Sequence, residues 1–148
     1  MGFYYLDTSA LVKLYVREPG TDEMTRLADV ASGNTLAVLV LSRVEFRSAI
    51  RQRERLGDVP RDTADALIAR LEAHLQSIYI VHPVTDSVVE EAVALLDRHP
   101  LRAYDAVQLA GCISLRARSS ERPAFVCSDR LLLRAAENEG LTVFDPGR

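Results

Sequence analysis

Apolar residues along this chain fall into two rhythms. Short runs, unbroken at residues 3–6, 36–41, 78–81 and 124–127 and interrupted only by Thr142 at 141–144, are mostly β-branched, aromatic or leucine-rich and too brief for helices, so each predicts a strand. Apolarity on successive rather than alternate positions implies burial on both faces, as in a parallel sheet covered by helices. Between these runs the period becomes helical. Helices are predicted over 10–16, ended by Pro19-Gly20; over 21–31, ended by Ser32-Gly33-Asn34; and over 42–56, ended by Gly57. Four more follow over 62–75, 86–98 (stopped at Pro100), 103–118 and 131–139, the last with Gly140 as its left-handed stop. The predicted fold class is α/β, a five-stranded parallel sheet flanked by seven helices, with residues 1–148 as a single domain.

Composition narrows the functional classes. The 148 residues are 48% hydrophobic and 26% charged, enough for one real core. Eighteen Lys and Arg against 21 Asp and Glu leave a formal charge of -3, which excludes a long-range basic field, so any nucleic-acid contact has to be local. Cys112 and Cys127 form neither a CxxC pair nor a Cys/His cluster, which argues against a disulfide framework or a zinc site and for a reducing cytoplasm. No apolar run approaches the roughly 20 residues that span a bilayer, and Met1-Gly2-Phe3-Tyr4 lacks the basic start of an export signal, so no membrane role is expected.

Four acidic residues occupy comparable places. Asp7 directly follows the first strand, and Asp129 follows the fourth in Cys127-Ser128-Asp129-Arg130. Glu45 lies one turn into the third helix, and Asp105 sits in the first turn of the sixth. Each also has a purely local reading. Asp7 or Ser9 can cap the helix that follows, as can Ser128 or Asp129, and Ser42-Arg43-Val44-Glu45 fits a capping box. Asp105 is favoured where it stands by the helix dipole. The local readings leave the coincidence unexplained: in an open parallel sheet, ligands bind beyond the carboxyl ends of the strands, which is where these acids fall. Carboxylates within about 4 to 6 Å raise one another's pKa, so convergence is costly unless a cation is present. An all-oxygen set suits Mg²⁺ or Mn²⁺.

These residues lie in stretches that resemble the PIN-domain ribonucleases, and among them the VapC-type toxins of toxin-antitoxin pairs. The markers are Leu6-Asp7-Thr8-Ser9-Ala10-Leu11, Val44-Glu45-Phe46-Arg47-Ser48-Ala49, Tyr104-Asp105-Ala106-Val107-Gln108-Leu109-Ala110 and Val126-Cys127-Ser128-Asp129-Arg130-Leu131. Spacings of 38, 60 and 24 residues separate the four acids. The resemblance implies a three-layer fold with strand order 3-2-1-4-5 and a divalent-metal-dependent endoribonuclease. It also implies a homodimer, held in check by a VapB-type antitoxin. Asp7, Glu45, Asp105 and Asp129 take the family's acidic positions as catalytic and metal-holding residues.

For hydrolysis of a phosphodiester, Asp7 and Asp105 are expected as principal metal anchors, Glu45 as general base or holder of a metal-bound water, and Asp129 as the residue that completes the set or assists a second ion. Thr8, Ser9 and Ser128 carry hydroxyls that can orient those carboxylates or cap helices. Arg102 is a candidate phosphate grip, and Arg43, Arg47, Arg51 and Arg55 recur every four residues as a candidate ladder for the RNA backbone, or as a solvated face with pairs such as Arg51 to Glu54. Tyr104 is placed to stack a base or to pack at the rim. Leu11, Val12, Leu14, Tyr15 and Val16 offer either core or a groove for an antitoxin helix. An inactive RNA-binding module of the same fold and a DNA-directed nuclease stay open as alternatives. A second acid two residues after Asp7, as haloacid-dehalogenase phosphatases need, is absent; Ser9 stands there.

Overall fold

A computed structural model describes residues 1–148. Strands β1 (Phe3–Leu6), β2 (Thr35–Leu39), β3 (Ile80–His82), β4 (Ala124–Val126) and β5 (Val143–Phe144) form one fully parallel sheet in the order β3-β2-β1-β4-β5. Seven helices cover it: α1 (Thr8–Val12), α2 (Thr21–Ala28), α3 (Leu41–Arg55), α4 (Arg61–Ser77), α5 (Asp86–Arg98), α6 (Ala103–Arg118) and α7 (Arg130–Asn138).

Successive strand residues feed two separate cores. Tyr5, Ala37, Leu39 and Phe125 pack with α5, α6 and α7, whereas Leu6, Leu36, Val38 and Val126 pack with α1 to α4. This division explains the apolar runs, since a strand covered on both sides has no solvent face to mark with polar residues. Tyr5 and Phe125 stack at 5.8 Å across the β1–β4 pair. Helix α6 lies hard against the sheet at Gly111, where any Cβ would come within 2.5 Å of the Tyr5 hydroxyl and 2.8 Å of Leu39.

Boundaries shift where tertiary partners overrule local pattern. The strand predicted over 36–41 ends at Leu39, because Val40 already has helical backbone angles while its N–H still bonds the His82 carbonyl at 2.8 Å. The one predicted over 78–81 begins at Ile80, since α4 runs on to Ser77 and Ile78 closes it. Helix α1 is shorter than 10–16, and the 21–31 segment breaks at Asp29, whose extended backbone caps a 3-10 turn at Val30–Ser32. Helices α5 and α6 match their predicted limits.

The apolar residues of the first predicted helix pack largely into the core, while Val12 also borders the cleft at the carboxyl edge of the sheet. Leu11 and Val12 are buried, and Leu14, Tyr15 and Val16 pack against the same cluster. Tyr15 is further tied down through its hydroxyl, 2.7 Å from His74 Nδ1 and 2.8 Å from the Tyr79 hydroxyl.

Candidate active site

Parallel order places the ends of β1 and β4 side by side, with β2 on the other flank of β1. Asp7 and Asp129 step off β1 and β4, each into a helix. Asp7 Oδ1 caps α1, accepting the Ala10 N–H at 3.0 Å and the Ser9 hydroxyl at 2.7 Å; Asp129 Oδ1 caps α7 through the Leu132 N–H at 2.9 Å. These acids therefore do have their local roles, and those roles hold them at the sheet's carboxyl edge. Asp105 points from the first turn of α6, where its Oδ2 accepts from Arg102 Nε at 3.1 Å. Asp7, Glu45, Asp105 and Asp129 line one cleft of about 570 Å³, with Thr8, Ser9, Arg53, Arg102, Tyr104 and Gln108 among its walls.

Glu45 departs from its local reading. Helix α3 begins at Leu41 with Val40 as its uncapped lead residue, so Ser42 lies inside the helix and no capping box forms. The buried Ser42 hydroxyl instead accepts from Gln108 Nε2 at 3.0 Å and lies 3.2 Å from the Thr8 hydroxyl. Glu45 Oε1 accepts from Thr8 Oγ1 at 3.0 Å and Gln108 Nε2 at 2.7 Å. Gln108 is the residue that sequence reasoning passed over. Its signal was its place three residues after Asp105, on the same face of α6.

The cleft is electrostatically demanding. Asp7 is pushed up to about 6, chiefly by burial and further by the Glu45 charge, against the lowering effect of its bonds from Ala10, Ser9 and the Cys127 thiol. Cys127 Sγ also accepts the Asp129 N–H at 3.2 Å, which gives this cysteine a place between the two acids. Ser128 donates its N–H to Ser9 Oγ at 3.3 Å, and its own buried hydroxyl finds no partner. In all four acids one carboxylate oxygen is engaged by the protein, and the other receives no N–H or O–H. Half-used carboxylates sharing one cleft are the donor set a hard divalent cation takes. No three of them stand close enough together to form a closed metal-binding cluster. In donor type, all carboxylate oxygen, the set is of the kind Mg²⁺ or Mn²⁺ takes.

The predicted cationic residues are largely paired. Arg102 is bound to Asp105, and Arg53 bonds Glu18 at 2.7 Å inside the cleft. Arg43 lies 2.8 Å and Arg47 3.6 Å from the same Glu72 carboxylate, and Arg51 meets both Asp65 and Glu54. Arg55 has no acidic partner. Arg43, Arg47, Arg51 and Arg55 line a second hollow that shares Val44 and Ser48 with the acid cleft, so the two are neighbours along α3. Tyr104 is 64% exposed on the cleft wall, free to stack and not part of the core.

Comparison with known proteins supplies the context. The PIN domain family model matches residues 4–138. Ribonuclease VapC47 of Mycobacterium tuberculosis (strain CDC 1551 / Oshkosh) is 30% identical over 145 residues, covering 97% of this chain and 96% of its own. Ribonuclease VapC35 of the same strain is 32% identical over 148 residues, 97% of each chain. Among solved structures, a toxin-antitoxin complex from Klebsiella pneumoniae superposes with a TM-score of 0.63 at 14% identity over 97% of both chains, which is a likeness of fold.

Proposed function

This chain belongs to the PIN-domain family, on its VapC-type ribonuclease branch, and from that footing we propose that it is a divalent-metal-dependent endoribonuclease, the toxin of a VapBC-type pair. The observation that carries the metal-dependent reading is the single cleft in which four acids from four distant stretches each keep one carboxylate oxygen free of protein N–H and O–H donors. The proposal extends to a VapB-type antitoxin as partner, a homodimer, a cytoplasmic location and all 148 residues acting as one domain. The names of the relatives and the toxin-antitoxin fold neighbour support the partner. No helix is long and apolar enough to cross a membrane.

Asp7 and Asp105 would hold Mg²⁺ or Mn²⁺, with Asp129 completing the set. When bound, such an ion lowers the pKa of a water and offsets charge gathering on the phosphate. The remaining work falls to the chain. Glu45, with Oε1 fixed, keeps Oε2 to take the proton as water attacks phosphorus and the bond to the leaving sugar oxygen breaks. Ser9 and Thr8 fix Asp7 and Glu45 respectively, so neither carboxylate has to be ordered at the moment of reaction. Arg102 sits beside Asp105 and can exchange that carboxylate for a phosphate oxygen. Arg43 and Arg47 extend the track along α3. Tyr104 offers an open ring for a base.

The test is incubation of wild-type protein and Asp105→Asn with transfer and ribosomal RNA, in Mn²⁺, Mg²⁺ or EDTA, with the fragment ends mapped. Discrete cuts that need metal and vanish in the variant are expected. Equal fragments from both proteins, or tight metal-free RNA binding without any cutting, would favour a binding module instead.

A further inference from the structure

Gln108 is only 2% exposed, yet every polar atom of its side chain is engaged. Its carbonyl Oε1 accepts the Tyr5 hydroxyl at 3.1 Å. Its Nε2 faces Glu45 Oε1 at 2.7 Å, Ser42 Oγ at 3.0 Å and Thr8 Oγ1 at 3.1 Å. An amide nitrogen carries two hydrogens, so three acceptors compete for two bonds, and the shortest contact goes to the one charged acceptor.

The amide can face only one way. With Nε2 committed to the Glu45 carboxylate at 2.7 Å, Oε1 is the atom left to accept the Tyr5 hydroxyl. Turned over, the amide would set its carbonyl oxygen against the Glu45 carboxylate. Room for the phenol exists because Gly111 has no side chain: a Cβ there would stand 2.5 Å from it. A chain of contacts thus runs from Gly111 through the Tyr5 hydroxyl and the Gln108 amide to Glu45, crossing from the α5–α7 core to the floor of the acid cleft.

We propose that Gln108 is a positioning residue, holding Glu45 Oε1 through its amide so that Oε2 is presented to the cation and the attacking water. This rests on the ribonuclease reading. A bond made only to stabilise the core would have no reason to end on a cleft carboxylate, since Ser42 and Thr8 already offer Nε2 two neutral acceptors. Choosing Glu45 as the closest partner costs that acid the freedom of one oxygen and fixes the direction of the other.

The experiment measures Mn²⁺ binding to the RNA-free protein by the paramagnetic resonance signal of free Mn²⁺, beside kcat and KM on a cleavable RNA. Gln108→Met keeps the volume and removes the amide, and Gln108→Asn serves if it does not fold, keeping an amide but withdrawing it from Glu45. Ser114→Ala is the control, since it removes a different hydrogen bond on α6, to His82 Nε2 at 3.1 Å. The expected result is at least three-fold weaker Mn²⁺ binding and a ten-fold or greater fall in kcat for the Gln108 variant, with KM within two-fold and Ser114→Ala unchanged in all three. A Gln108 variant less than three-fold altered in Mn²⁺ binding, or a Ser114→Ala loss of the same size, overturns the positioning role. Wild-type protein that neither binds Mn²⁺ nor cuts RNA removes the ribonuclease reading, and this inference falls with it.

Discussion

At the scale of single residues, the acids of the cleft carry a conflict between stability and use, and Asp7 is where it can be measured. Its pKa is raised from 3.8 to about 6, first by burial and then by the Glu45 charge. The folded protein therefore holds this proton more tightly than the unfolded chain does. The stability that this contributes is complete below pH 3.8 and is lost as pH rises through about 6. Two pKa units are worth about 3 kcal/mol at most. Asp7→Asn keeps a side-chain oxygen to cap α1 but has no charge to desolvate. In EDTA at pH 7.5 the variant should resist urea better than the parent by up to about 3 kcal/mol, and the advantage should close toward pH 4. It should cut no RNA. Equal stability of the two proteins at pH 7.5 would mean that Asp7 pays no burial penalty.

At the scale of elements, what the sequence made legible was whatever short-range chemistry decides. Helices α5 and α6 have their stops written beside them, Pro100 for one and the polar stretch after Arg118 for the other, and they form where expected. The start of α3 was not legible, because it depends on the Val40 N–H reaching His82 and on Ser42 serving Gln108 and Thr8, partners 66 and 34 residues away. Asp7 and Asp129 were found since strand-then-acid is a local pattern. Gln108 was missed since its meaning lies wholly in contacts with other elements. Two predictions belong here. Gly111→Ala drives a methyl into Tyr5 and Leu39 and should destabilise the protein by about 1 to 3 kcal/mol in thermal unfolding. Along α3, the double change Arg43→Gln and Arg47→Gln should flatten the slope of log binding constant against log salt by about 1.4 for single-stranded RNA, at about 0.7 per phosphate lost. An unchanged slope would show that Glu72 keeps both guanidiniums from the backbone and that the hollow beside the cleft is only a solvated face.

At the scale of the whole molecule, parallel topology does the assembling. Residues 7, 45, 105 and 129 are scattered over most of the chain, and the order β3-β2-β1-β4-β5 sets the ends of β1, β2 and β4 next to one another. The fold thereby accumulates negative charge at one edge: five carboxylates, counting Glu18, line the cleft against the guanidiniums of Arg53 and Arg102. Helix N-termini at Asp7, Asp105 and Asp129 offset part of this repulsion. A divalent cation would offset more, and because the unfolded chain cannot gather the same four acids, such an ion would bind the folded state selectively. Its effect on stability follows from linkage: at a free concentration 100 times its Kd, Mn²⁺ should stabilise the protein by about 2.7 kcal/mol, raising Tm by several degrees. Asp105→Asn should blunt that rise, and Ca²⁺-free buffer with Na⁺ at equal ionic strength should not reproduce it, since screening acts on exposed charges and little on a buried carboxylate such as Asp7. A Tm indifferent to Mn²⁺ in the wild type, or equally raised in Asp105→Asn, would mean that the converging acids do not act as one cation site.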